Sequence, residues 1–198
     1  MSKPDSVTLD IFKFQVYQTT LNVDVDKIKK FSFSIRKKDK SDGRRLSNSG
    51  YQSQDLNLPD LPACMKKLKE LIELHANEYG KNMHINRPLK LANMWVNING
   101  YKDYNTQHMH PYCLFSGAFY VEVREDTGGI RFWNPLQDLM DYALHNTVAK
   151  YESRNSSSWT VIPKHSMLVL FPGYLTHSVE PNMNKKFKRI AISFNLMT

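Results

Sequence analysis

Met94-Trp95-Val96-Asn97-Ile98-Asn99 sets the pattern for the second half of this chain. Methionine, valine and isoleucine fall at every second position, the period of a strand whose alternate side chains share a face. Downstream, comparable runs occur at 115–123, 129–133, 158–162, 167–171 and 189–194, with glycine, proline and asparagine between them. Many short strands at this spacing predict a sandwich or a barrel. The expected fold class is mainly β with flanking helices (α+β), its β core covering about residues 91–198.

Upstream of that core the pattern is mixed. Residues 7–21 carry Thr, Val, Phe and Tyr and predict one or two opening strands. Residues 26–36 begin at a cap-like Asp26 and predict a short helix. Residues 37–58, with Gly43, Ser47, Asn48, Ser49 and Gly50, predict a long polar loop that could cover a site, and Tyr51 gives it apolar area to bury. Over 62–79, Met65, Leu68, Leu71, Ile72 and Leu74 fall near helical spacing with lysines in the gaps. That segment predicts a support helix, with Gly80 as its stop. Residues 136–149 read as an insertion with a helical turn, and the whole of 1–198 as a single domain.

The bulk properties narrow the function classes. The 198 residues can bury a substantial core, and the apolar content is that of a globular protein. Two cysteines, Cys64 and Cys113, make neither a disulfide framework nor a zinc ribbon. No run has the length of a membrane span and the first ten residues lack a signal-peptide core, so a cytoplasmic protein is expected. The net charge of +8 gathers in Arg36-Lys37-Lys38, Arg44-Arg45, Lys66-Lys67 and 185–189. It is read as a solvated surface. A nucleic acid or acidic partner is the sharper alternative, without a recognition signature to support it.

The chemistry gathers around Gln107-His108-Met109-His110-Pro111. On a strand, His108 and His110 would point to one face and could hold one metal ion. His177, in Pro172-Gly173-Tyr174-Leu175-Thr176-His177 after an apolar strand, could close a three-ligand face with positions left open for substrates. Arg189 opens the apolar run Ile190-Ala191-Ile192. Burying it is costly unless an anion answers it, and its planar fork suits a carboxylate beside the metal. The plainer alternative is an arginine at a strand end, in water. Tyr120 could donate its phenol to the same carboxylate, or be a core tyrosine. His75, His84, His145 and His165 lack comparable partners and are read as structural or exposed.

The order of motifs is more specific than any one of them. His108-Met109-His110 is followed by Ser116-Gly117-Ala118-Phe119-Tyr120-Val121, then by Gly128-Gly129-Ile130-Arg131-Phe132. Leu170-Phe171-Pro172-Gly173 with His177 and Arg189-Ile190-Ala191-Ile192-Ser193-Phe194-Asn195 complete it. This order resembles the iron(II)- and 2-oxoglutarate-dependent dioxygenases. It looks closest to an oxygenase family related to prolyl hydroxylases, found in bacteria and phages. The strong part spans about 92–198, and Ser47-Asn48-Ser49-Gly50-Tyr51-Gln52-Ser53 also resembles that family's upstream segment.

The resemblance implies a double-stranded β-helix, a cupin-like jelly roll with helices packed outside. It implies Fe(II) and 2-oxoglutarate as cofactors, O2 as the other co-substrate, and hydroxylation of an unidentified substrate, a prolyl or other protein residue or a small molecule. His108 matches the first metal ligand of a His-x-Asp/Glu…His triad and His177 the distal one. Arg189 matches the residue that binds the far carboxylate of 2-oxoglutarate, and Tyr120 a tyrosine that assists it. His110 departs from the pattern, because it stands where the carboxylate is usual. It could be a ligand, or a hydrogen-bonding neighbour with water in third place. In another register His110 would be the first ligand and His108 would lie outside. Two rival readings use the same residues: a three-histidine cupin-like metalloenzyme without 2-oxoglutarate, and a non-catalytic basic module that binds nucleic acid or protein.

Overall fold

The computed structural model describes residues 6–9, 11–41 and 48–198. Its ten strands form two antiparallel sheets. In chain order the elements are β1 (Tyr17–Thr20), α1 (Val25–Lys38), β2 (Tyr51–Gln52), α2 (Ala63–Asn82), β3 (Lys90–Asn99), β4 (Asn105–His108) and β5 (Phe115–Glu122). They continue as β6 (Ile130–Trp133), α3 (Gln137–Leu144), β7 (Ser158–Val161), β8 (Met167–Pro172), β9 (His177–Val179) and β10 (Arg189–Met197). The larger sheet has the order β1-β8-β5-β10-β3-β2 and the smaller one β4-β9-β6-β7. From β3 onward the strands alternate between the two sheets, except that β6 and β7 follow each other on the smaller one, the winding of an eight-stranded jelly roll. The two sheets face each other without closing into a barrel.

Alternation along the strands builds two cores. On β3, Met94, Val96 and Ile98 turn outward, where they join Met65, Leu68 and Ile72 of α2 and Ile28 of α1. Those helical residues recur at the three- and four-residue spacing that gives one apolar face. Between the sheets, Ala118, Tyr120, Val169, Phe171 and Ala191 meet Ile130, Phe132, Val161 and Leu175. Every residue of β5 is buried, because helices cover one side of it and the smaller sheet the other. Asp24 caps α1 by accepting from the Lys27 amide at 3.0 Å. No helix among the described residues is long and apolar enough to cross a membrane.

Several local expectations are corrected. Of 7–21 only Tyr17–Thr20 forms a strand, paired from Tyr17↔Leu170 to Thr20↔Met167. Two residues further back the register would set Gln15 opposite Pro172, which has no N–H to give, and Val7, Leu9, Ile11 and Phe12 are exposed. Gly80 does not stop α2, which runs on to Asn82. A Cβ at Gly80 would sit 2.9 Å from Leu89, so glycine is there for close packing. Residues 37–58 are not all loop, since Tyr51 and Gln52 pair with Ile98 and Asn97. Residues 42–47, with Gly43, Arg44-Arg45 and Ser47, lie outside the described part. Strand β4 carried no strand signal of its own. The insertion forms α3 over Gln137–Leu144.

Candidate metal centre

The site lies between the sheets, where β4 and β9 of the smaller sheet face β3, β5 and β10 of the larger one. His108 ends β4 and His177 begins β9, and the two are register partners. Antiparallel pairing therefore brings together residues 69 positions apart (177 minus 108). Their ring centroids are 4.4 Å apart. His110 joins them by a different route from the expected strand alternation. It lies past the end of β4, in a turn whose backbone is clipped to the turn before β9: the His110 amide donates to the Gly173 carbonyl at 2.8 Å. A Cβ on Gly173 would come within 2.3 Å of the Cys113 carbonyl oxygen, so only glycine permits this approach. The His110 ring stacks on His177 at 5.2 Å and 19°. One ligand atom from each of the three imidazoles lies within 4.8 Å of the others.

Two of the three rings are fixed in tautomer by a carbonyl. The Thr106 carbonyl lies 2.7 Å from His108 Nδ1, and the Leu175 carbonyl 3.0 Å from His177 Nδ1. A carbonyl only accepts, so each Nδ1 carries the proton and each Nε2 keeps its lone pair for a metal. Burial favours the neutral rings and pushes the pKa of all three down. His108 is lowered, His110 falls to about 4 with His108 adding to the effect, and His177 falls to about 3. At neutral pH all three are bases with free lone pairs. The donor set and its spacing fit a transition-metal ion.

Arg189 and Tyr120 lie on the larger sheet, within the same cavity of about 690 Å³, part of it open to solvent. Arg189 is 1% exposed. Its Nη1 donates to the carbonyls of Thr127 and Glu180, while its Nη2 is buried with no partner among the described residues. Burial lowers its pKa to about 10, against the pull of Tyr120, Asp103 and Glu180, which leaves it cationic at neutral pH. An unanswered buried N–H costs about 1–3 kcal/mol, more when charged, so Nη2 is a donor in want of an acceptor. Burial lifts the Tyr120 phenol to about 12, so it stays a neutral donor. Gly128, at φ +78°, closes the cage: a Cβ there would lie 2.6 Å from the Glu180 carbonyl oxygen and 2.9 Å from Arg189 Nη1.

The remaining cavity wall was not singled out from sequence. It includes Gln52, Trp95, Asn97, Asn99, Asn105 and Ser193. The signal was present in β3, where Asn97 and Asn99 share an inward face with Trp95. There the usual rule inverts, because the polar side faces a pocket and the apolar side faces the helices. Asn48 ties the upstream segment to this floor: it donates to Asn97 Oδ1 at 3.1 Å and accepts from Asn99 at 3.0 Å. His75, by contrast, is bonded to the Tyr17 hydroxyl at 2.8 Å, away from the site.

Comparison with known proteins agrees with this architecture. The family model described as "Putative 2OG-Fe(II) oxygenase" matches residues 93–195, more than half of the chain. A prolyl-4-hydroxylase from Pseudomonas putida superposes with TM-score 0.60 at 12% identity, covering 91% of both chains. The viral collagen prolyl hydroxylase from Paramecium Bursaria Chlorella virus-1, a 2-oxoglutarate complex, gives 0.56 at 13% identity over 91% of this chain and 94% of that one. HygX from Streptomyces hygroscopicus, with nickel and 2-oxoglutarate bound, gives 0.58 at 12% identity over 91% and 82%. No curated protein matches in sequence. At these identities the structures establish a shared double-stranded β-helix. The family match adds the chemistry, and on it this chain belongs to the 2OG-Fe(II) oxygenases, enzymes dependent on iron(II) and 2-oxoglutarate.

Proposed function

We propose that His108, His110 and His177 hold the iron, that Arg189 and Tyr120 seat 2-oxoglutarate, and that the enzyme hydroxylates a C–H bond of a polypeptide residue, prolyl first among the candidates. The observation that carries the site assignment is the pairing of three converging imidazoles with a buried guanidinium nitrogen that has no partner. Prolyl as the target rests on the resemblance to prolyl hydroxylases, two of which share this fold. Residues 1–198 are read as one domain, and the free thiols Cys64 and Cys113 support a cytoplasmic setting.

Iron(II) with 2-oxoglutarate supplies oxidative decarboxylation of the keto acid, coupled to insertion of one oxygen atom into a C–H bond. The protein's part is positioning. His108 and His177 present Nε2 because Thr106 and Leu175 hold the opposite ring proton. Arg189 Nη2 and the Tyr120 hydroxyl offer donors to the carboxylate remote from the metal. Phe171 and Phe132, packed edge-on at 5.0 Å, lie against His177 and cover one side of it with apolar rings.

The test is an anaerobic titration of the purified protein with iron(II) and then 2-oxoglutarate, followed by the visible charge-transfer band of the chelate. Wild type should develop the band, and Arg189→Ala should need much more 2-oxoglutarate for it. Succinate formation under oxygen should follow the same order. Iron uptake with no chelate band would favour a three-histidine metalloenzyme that does not use the keto acid.

A further inference from the structure

The three imidazoles are not held alike. His108 and His177 each have a ring nitrogen bonded to a backbone carbonyl. The His110 ring has no hydrogen-bond partner among the described residues. Ring contacts alone position it, with His108 at 5.2 Å, His177 at 5.2 Å and Trp95 at 6.0 Å. Its backbone is clipped to Gly173, so the side chain can rotate without disturbing the turn. A metal-binding histidine ordinarily has a second partner that fixes it, and His110 lacks one.

Charge points the same way. Among the described residues no Asp or Glu lines the cavity. Asp103 and Glu180 act on Arg189, and among the described residues the groups that act electrostatically on His110 and His177 are the other imidazoles. If one carboxylate of the keto diacid answers Arg189, a single carboxylate remains for the two positive charges of iron. The metal end is then one negative charge short, in a place where an uncompensated charge is costly. The cavity wall also has spare donors: the Trp95 indole N–H and the amides of Gln52 and Asn105 have no side-chain partners among the described residues.

We infer that the centre takes a small free monoanion as an additional ligand, and that His110 is the imidazole that gives way to it. This rests on the metal reading above. The ligand class is a singly charged anion with a compact donor end, such as formate or azide. It supplies from solution the charge that an acidic residue at position 110 would have built in, and Trp95, Gln52 and Asn105 are placed to receive it. His108 and His177 stay in place.

The experiment uses iron(II) protein with saturating 2-oxoglutarate, without oxygen. Sodium formate and sodium azide are titrated separately, with perchlorate at matched ionic strength as control. The readout is the shift of the chelate's visible band. Wild type should show a saturable shift with both anions and none with perchlorate. His110→Ala should bind them at least as tightly, because the position is vacant. His110→Asp should bind them about tenfold more weakly or worse, because the charge is already present; tenfold corresponds to about 1.4 kcal/mol. A chelate band that no anion moves beyond the perchlorate control overturns this inference and leaves the metal reading intact. Equal affinity in wild type and His110→Asp also overturns it. Absence of any chelate band in wild type overturns the 2-oxoglutarate reading on which this inference rests, and the inference with it.

Discussion

Replacing Gly128 with alanine should loosen the protein's hold on 2-oxoglutarate while sparing its metal. Gly128 sits at φ +78°, and an added Cβ would meet the carbonyl oxygens of Glu180 at 2.6 Å and Pro181 at 2.8 Å, and Arg189 Nη1 at 2.9 Å. An L-residue in that conformation costs about 1–2 kcal/mol, and relieving the overlap costs about 1–3 kcal/mol more. A stability loss of about 2–5 kcal/mol is survivable for a domain of this kind. The relief has two directions. Either the Thr127 and Glu180 carbonyls move away from Arg189, or the guanidinium moves away from them. Each displaces Nη2 from the place where it would meet a carboxylate. Losing one well-aligned bond to a charged group is worth about 1.5–3 kcal/mol, hence roughly tenfold to a hundredfold in 2-oxoglutarate affinity. The three histidines lie at the other end of the cavity and should keep iron. The assay is the dissociation constant for 2-oxoglutarate from the chelate band, beside the iron affinity of the same preparation. A folded Gly128→Ala protein with wild-type affinity for 2-oxoglutarate would refute the role given to Arg189 and its cage.

His177→Ala should weaken iron binding by more than about a hundredfold, beyond the usual effect of losing a ligand's supporting partner, as read by competition with a chromophoric chelator. Leu68→Ala removes a fully buried side chain of α2 and should cost about 2–5 kcal/mol in urea unfolding; a loss below about 1 kcal/mol would mean the helix is not packed as described. The metal-free protein should lose stability on acidification. The His177 pKa is about 3 folded, against 6.5 ordinarily, so its contribution is complete above 6.5 and is lost as pH falls toward 3. At pH 5 the unfolded chain takes the proton and the folded one does not, worth about 2 kcal/mol. That lowers the melting temperature by about 4–8 °C relative to neutral pH, and iron should reduce the effect. A melting temperature independent of pH over that range in the metal-free protein would contradict a buried neutral His177.

The chemistry was readable in part because certain residue types are costly where the pattern puts them. An arginine opening the apolar run after 189 needs an anion, and histidines at 108, 110 and 177 within an ordered series of strands suit a metal. Residues 62–79 announced a helix by spacing, as did the strands from 91 onward by period. Legibility stopped where a position is set by a partner distant in sequence. Gly80 has the character of a helix stop, yet its role is decided by Leu89 against its missing Cβ. The opening strand is cut short by what Pro172 cannot donate. Gln52, Asn97, Asn99 and Asn105 look like ordinary polar residues until the second sheet gives them a cavity to face.

By itself the amino-acid sequence determined the periods, and with them the apolar faces that have to be buried and the polar groups that cannot be buried alone. It also determined the inventory of imidazole, guanidinium and phenol. Tertiary structure alone decided the distances among them. Pairing β4 with β9 sets His108 against His177, and the Gly173 clip brings His110 in from a turn rather than from a strand face. The cage around Arg189 likewise draws on a distant segment through the Thr127 carbonyl, whereas the carbonyls that fix two ring tautomers lie only two residues before their own histidines. The physical reason is that side-chain period is a local property of the backbone, whereas register, close approach and charge neutralisation depend on which segments fold against each other.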